Sequence, residues 1–81
     1  MRSFEYVLNN ETKKILAETP LEAGHIIFDK ICEPVANKAS IKFYKFVIRE
    51  CDTLKDFSFT GSVVQFVPET KQYVIHVIQN K

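Results

Sequence analysis

An α+β domain with the element order ββαβββ, one helix packed on a curved and mostly antiparallel sheet, is the fold class that this sequence predicts. Three observations carry the expectation. Ile41 to Cys51 is the longest run rich in aromatic and β-branched residues with neither Gly nor Pro, which suits a largely buried strand. Thr19-Pro20-Leu21-Glu22 is a sharp helix-start signal followed by an apolar stripe at helical spacing. The remaining apolar residues fall into short alternating segments on either side of that helix.

The first strand places Phe4, Tyr6 and Leu8 on one face and Glu5, Val7 and Asn9 on the other. Asn9-Asn10-Glu11-Thr12 reads as a turn, because Asn tolerates the left-handed region and bonds its own backbone. Lys13 to Glu18 returns as a second strand, with Ile15 and Ala17 on one face and Leu16 on the other. At the helix start, Thr19 is the N-cap, Pro20 has no donor to lose, and Glu22 completes a capping box. Ala23, Gly24, Ile27, Phe28 and Ile31 form the apolar stripe, and Gly24 is expected to let the helix approach the sheet closely. Pro34 stops the helix near Cys32 or Glu33.

After a polar connection from Val35 to Ser40 comes the strand Ile41 to Cys51. Ile41, Phe43 and Val47 lie on one side, and Tyr44, Phe46 and Ile48 on the other. A strand apolar on both faces is expected in the middle of a covered or curled sheet. Phe57, Phe59, Val63, Val64 and Phe66 mark a fourth strand, in which Gly61 suggests a bulge or bend. Pro68-Glu69-Thr70-Lys71 makes a turn into the last strand, Tyr73 to Ile78. A β-grasp, as in ubiquitin-like modules, shares the opening hairpin and helix and is the alternative architecture.

Eighty-one residues make one domain, residues 1–81. Such a chain buries only roughly 60% of its unfolded surface, so each large side chain matters. An apolar content of 46% is too high for a disordered tail. Eleven basic against ten acidic residues give no overall pull towards nucleic acid or anionic membrane. Cys32 and Cys51 lack zinc or redox spacing, and the sequence leaves open whether they bond. With no secretory signal or membrane-spanning run visible, a reduced, soluble, intracellular protein is expected.

Phe4-Glu5-Tyr6-Val7-Leu8, Thr19-Pro20-Leu21-Glu22-Ala23, Ile48-Arg49-Glu50 and Phe57-Ser58-Phe59 with Gly61 form a pattern in this order. It resembles the small chromosomal proteins of methanogens and, more closely, related short proteins of giant DNA viruses. The resemblance implies an architectural or virion-associated role. This chain lacks the long basic loop with Pro and Trp that bends DNA in the chromosomal proteins, having only Pro68-Glu69-Thr70-Lys71 there and no Trp. Its helix carries Glu22, Asp29 and Glu33 against Lys30, where theirs is Lys-rich.

Lys38, Lys42, Lys45 and Arg49, interleaved with Phe43, Tyr44 and Phe46, are the candidate nucleic-acid contacts, since aromatics stack on bases while cations hold phosphates. Strand geometry divides them, with Lys42 on one face and Lys45 and Arg49 on the other, so weak DNA binding is expected. Glu22, His25 and Asp29 share a helix face, but metal sites recruit more His or Cys than this. His76 has no partner identifiable from sequence, and phosphate-loop glycines are absent. Neither catalytic residue, metal nor cofactor is expected.

The last strand has apolar residues on both faces, no Pro and no charge when His76 is neutral. It should therefore be either paired centrally or covered by a partner, which makes Tyr73, Val74, Ile75 and Val77 the candidate docking residues. The expected function is a non-enzymatic structural or interaction module that takes a protein partner or a copy of itself, with assembly of a large DNA virus as its setting. An architectural DNA-binding protein is the alternative. A ubiquitin-like adaptor comes third, since the Gly-Gly tail needed for conjugation is missing.

Overall fold

The computed structural model describes residues 1–80. Strands β1 (Arg2–Leu8) and β2 (Glu11–Ala17) precede helix α1 (Pro20–Cys32). A single 3-10 turn (Lys38–Ser40) then leads to β3 (Tyr44–Glu50), β4 (Asp56–Val67) and β5 (Gln72–Gln79). The strands form one sheet in the order β2-β1-β3-β4-β5, every neighbouring pair antiparallel. This is the α+β fold with the predicted element order. A β-grasp would set its last strand beside its first, whereas here β5 lies at the far edge.

The β1–β2 connection is tighter than the expected turn. Leu8 pairs with Glu11, leaving Asn9 and Asn10 as a two-residue loop with φ of 53° and 65°. Two consecutive positive φ values define a type I′ turn, whose twist matches that of the flanking strands. At the helix start, the Glu22 backbone N–H donates to Thr19 Oγ1 at 3.1 Å. The Glu22 carboxylate makes no return bond to Thr19, so only the hydroxyl half of the expected capping box is formed.

Ala23, Gly24, Ile27, Phe28 and Cys32 are the buried face of α1, packed against Phe4, Tyr6, Ala17, Ile48, Phe59, Val63 and Val77 of the sheet. Two glycines set the spacing between these layers. A Cβ on Gly24 would lie 2.9 Å from the Phe59 ring, and one on Gly61 would lie 2.7 Å from the Phe28 ring. Phe28 stacks on Phe46 with ring centroids 5.8 Å apart, and Phe46 stacks on Phe59 at 5.5 Å. Each glycine thus accommodates one end of a three-ring stack.

Gly61 does not mark the irregularity expected of it. The register shifts between Val63 and Gln65 instead, making Val64 the extra residue of a β-bulge. The insertion reverses the alternation, so both Val63 and Phe66 join the helix side. No backbone signal at Val64 announces this in the sequence.

The central strand also differs from its expectation. Residues 41–43 precede β3, and Phe43 has a φ of 53° with its N–H bonded to Ser62 Oγ. With Ile41 and Phe43 outside the strand, Val47 is the sole apolar residue on its outer face, and it is 56% exposed. β3 is therefore interior to the sheet by pairing but covered on one face only. The other face is open to solvent.

Candidate interaction surface

A sheet with open ends has two edges, and here they are built differently. At the β5 end, the Asn80 N–H donates to the Ser58 carbonyl at 2.7 Å, while the Val63 N–H points away from β5 to the Ile41 carbonyl at 2.9 Å. These two bonds fix the antiparallel alternation. His76 and Ile78 direct their backbone groups to β4, and Tyr73, Ile75, Val77 and Gln79 direct theirs outward. The edge therefore presents a row of N–H and C=O groups without a strand partner. No residue of β5 carries a formal charge, and none is proline.

The side chains of Tyr73, Ile75 and Val77 point under α1, where Val77 is 6% exposed. Tyr73 is held there by its hydroxyl, which donates to Asp29 Oδ1 at 2.6 Å. Accepting from that hydroxyl, the carboxylate pushes the phenol well above its ordinary range. On the other face Val74 and Ile78 are each 51% exposed, and the bulge residue Val64 is 62% exposed. Apolar area on the open face thus adjoins the free backbone edge.

At the opposite end, Ser3 accepts from the Cys51 N–H, so the odd residues of β1 face β3. Thr12, Lys14 and Leu16 then carry the outward backbone groups of β2. This edge is guarded by exposed Lys13 and Lys14 within the strand. A charged edge resists pairing with another strand, and an uncharged one does not.

β1 and β3 are joined by the Ser3–Cys51 bond and the pairs Phe4–Glu50 and Glu5–Arg49, and then diverge. The resulting wedge is a cleft of about 550 Å³ that reaches Ile27 and Ile31 of α1 between Tyr6, Val47 and Ile48. Its closed end is locked by Arg2, whose guanidinium donates to both Glu50 oxygens at 2.6 and 2.9 Å. Thr53 Oγ1 donates to the same carboxylate. Hydrogen bonding to Arg2 holds Glu50 below the usual carboxylate range.

The four candidate nucleic-acid cations do not form one surface. Lys38 is only 8% exposed; its ammonium donates to the Glu33 and Val35 carbonyls beyond the helix end and lies over the rings of Phe66 and Tyr73. It closes the C-terminus of α1 rather than facing solvent. Lys42 is exposed in the connection before β3. Lys45 stands on the open face, and Arg49 on that face pairs with Asp56 at 2.8 Å. Of the interleaved aromatics, Phe46 is in the ring stack and Tyr44 lies 6.3 Å from Phe28.

His25 is exposed, and Asp29 beside it is engaged by Tyr73. Among the described residues no group of three or more His, Cys, Asp or Glu is placed to hold a metal ion. Both cysteines are free. Burial pushes the Cys32 thiol up to about 11, and Cys51 Sγ accepts from the Ser3 hydroxyl. No helix among the described residues is long and apolar enough to cross a membrane.

No protein-family model, curated protein or solved structure matches this chain. Of the four edge residues picked from sequence, the structure places all on the terminal strand: Tyr73, Ile75 and Val77 through their backbone, and Val74 through its side chain. Ile78 and Gln79 belong with them. Period-two spacing from Val74 and Val77 was the signal that could have included both.

Proposed function

We propose that this chain is a non-enzymatic protein-interaction module that works through the β5 edge. The observation that supports it is the contrast between the two ends of one sheet. β2 carries lysines, whereas β5 has an uncharged, proline-free backbone edge beside Val64, Val74 and Ile78. The central pairing allowed for this strand by its composition is not the one it adopts, which leaves coverage by another chain. An extended strand added there would continue the sheet, with main-chain bonds giving affinity and the outer apolar side chains giving selectivity. Assembly of a large DNA virus, as the setting of that activity, rests on the sequence resemblance alone.

The test is capture from native extract by the wild-type chain, by Val74→Lys and by Lys14→Ala as a control at the other edge. Proteins held by the wild type and by Lys14→Ala but lost by Val74→Lys support this reading. An identical set held by all three baits contradicts it. The alternative, an architectural DNA-binding protein, is tested by fluorescence anisotropy with a short duplex at physiological salt. The scattering of Lys38, Lys42, Lys45 and Arg49 favours weak binding, and a dissociation constant well below about 1 µM would promote the DNA reading instead.

A further inference from the structure

We infer that the occupant of the β5 edge is a second copy of this chain, paired antiparallel about a two-fold axis that passes beside His76. The inference rests on the reading of β5 as the working edge and adds the partner, the register and a pH response. Because Ile75 and Val77 direct their backbone groups outward, a two-fold at His76 makes Ile75–Val77 of the two copies a hydrogen-bonded pair, and Tyr73–Gln79 another. Each pair occurs twice by symmetry, as an isologous interface requires. Shifting the axis to Ile75 would set Val74 opposite a histidine, and shifting it to Val77 would set Ile78 opposite one. The His76 register is the one of these three that matches Val74 of one copy with Ile78 of the other on the open face, and it also matches Ile75 with Val77 under the helices. No charged residue of either β5 meets a like charge when His76 is neutral.

That same register sets the two His76 side chains directly opposite each other in a non-hydrogen-bonded pair, where side chains come closest. Around His76 on the open face stand Ser62 as its cross-strand partner, Val74 and Ile78 along the strand, and Thr60 and Gln65 diagonally. None is charged, and α1 lies on the other face. A proton on both imidazoles therefore meets no neutralising partner. Imidazole is the side chain that can change charge within the physiological range, and two facing cations oppose association. Glu50 and Asp56, held below the usual carboxylate range by Arg2 and Arg49, remain ionised at pH 5, so the fold outlasts the contact.

Sedimentation equilibrium of the purified chain at pH 7.5 and pH 5.0, with circular dichroism at both, tests this. The expected result is a dimer at pH 7.5 whose dissociation constant rises about tenfold or more at pH 5.0 with the spectrum unchanged. His76→Gln should dimerise equally at both pH values, and Val74→Lys should be a folded monomer at both. A wild-type chain that stays monomeric at millimolar concentration overturns the inference. So does a dimer whose pH response survives His76→Gln. If the chain is monomeric while Val74→Lys still loses partners from extract, the edge stands as the working surface and the second copy falls.

Discussion

Gly24→Ala should destabilise this domain, although the same change in an ordinary helix position stabilises one. Alanine gains about 0.8–1 kcal/mol over glycine in a helix interior. Here its methyl would lie 2.9 Å from two carbons of the Phe59 ring, too close for any real contact. Phe59 is fully buried and has nowhere to go. Its ring stacks on Phe46, which stacks on Phe28, and Phe28 already fills the space over Gly61. Forcing a methyl into a packed core typically costs about 1–3 kcal/mol, and a ring braced on both sides belongs at the upper end. The net expectation is a loss of about 1–2 kcal/mol. Urea denaturation followed by circular dichroism should show a midpoint lower by about 1–2 M, given slopes of about 1 kcal/mol per molar for small domains. In a Phe59→Leu background the added cost should largely vanish, because the obstructing ring is gone. A midpoint equal to or above wild type for Gly24→Ala alone would refute the idea that this glycine sets the helix–sheet spacing.

Thr19→Ala should cost about 1 kcal/mol by chemical denaturation, whereas Glu22→Ala should cost much less, since the Glu22 carboxylate makes no bond to the cap. Val77→Lys should unfold the chain, as its side chain is buried under α1; Val74→Lys, on the open face, should stay folded and melt close to wild type diluted to the dissociated chain. Glu50 and Asp56 are held below the usual carboxylate range, so the unfolded chain binds more protons in that window. Stability is present at neutral pH and is lost as pH falls through about 4 and below, and Glu50→Gln should flatten that acid limb in pH-dependent melts. Tyr73 is shifted upward by Asp29, so its contribution is present below the ordinary phenol range and is lost above it. Tyr73→Phe should correspondingly weaken the alkaline dependence above about pH 10.

What the sequence discloses about this fold is what local chemistry controls. The Thr19 cap, Pro20 and the Ala23–Ile27–Ile31 spacing define the helix without reference to anything distant, and alternation in Phe4–Leu8 and Tyr73–Ile78 defines strands and their faces. Contacts that decide the rest are non-local. Ile41-Lys42-Phe43 has strand composition, yet Phe43 turns through a positive φ because its N–H finds Ser62 and the Ile41 carbonyl finds Val63. The bulge at Val64 has no glycine to announce it; long-range packing of Phe66 beside Tyr73 and Lys38 fixes it. Lys38 reads as a solvated cation until the helix end and two rings are seen to surround it. At the candidate site, composition singled out the last strand, but only the strand order shows that it is an edge. The unequal guarding of the two edges follows from that order.

Amide hydrogen exchange resolved by residue tests the working edge most directly. In the dilute, dissociated chain the amides of Tyr73, Ile75, Val77 and Gln79 should exchange quickly, and those of Val74, His76 and Ile78, bonded to β4, slowly. On association the four fast amides of β5 should gain protection, in strict alternation with residues already protected, while Thr12, Lys14 and Leu16 at the β2 edge stay unchanged. Protection that appears at β2 or across the β1–β3 cleft, with β5 unaltered, would contradict the assignment.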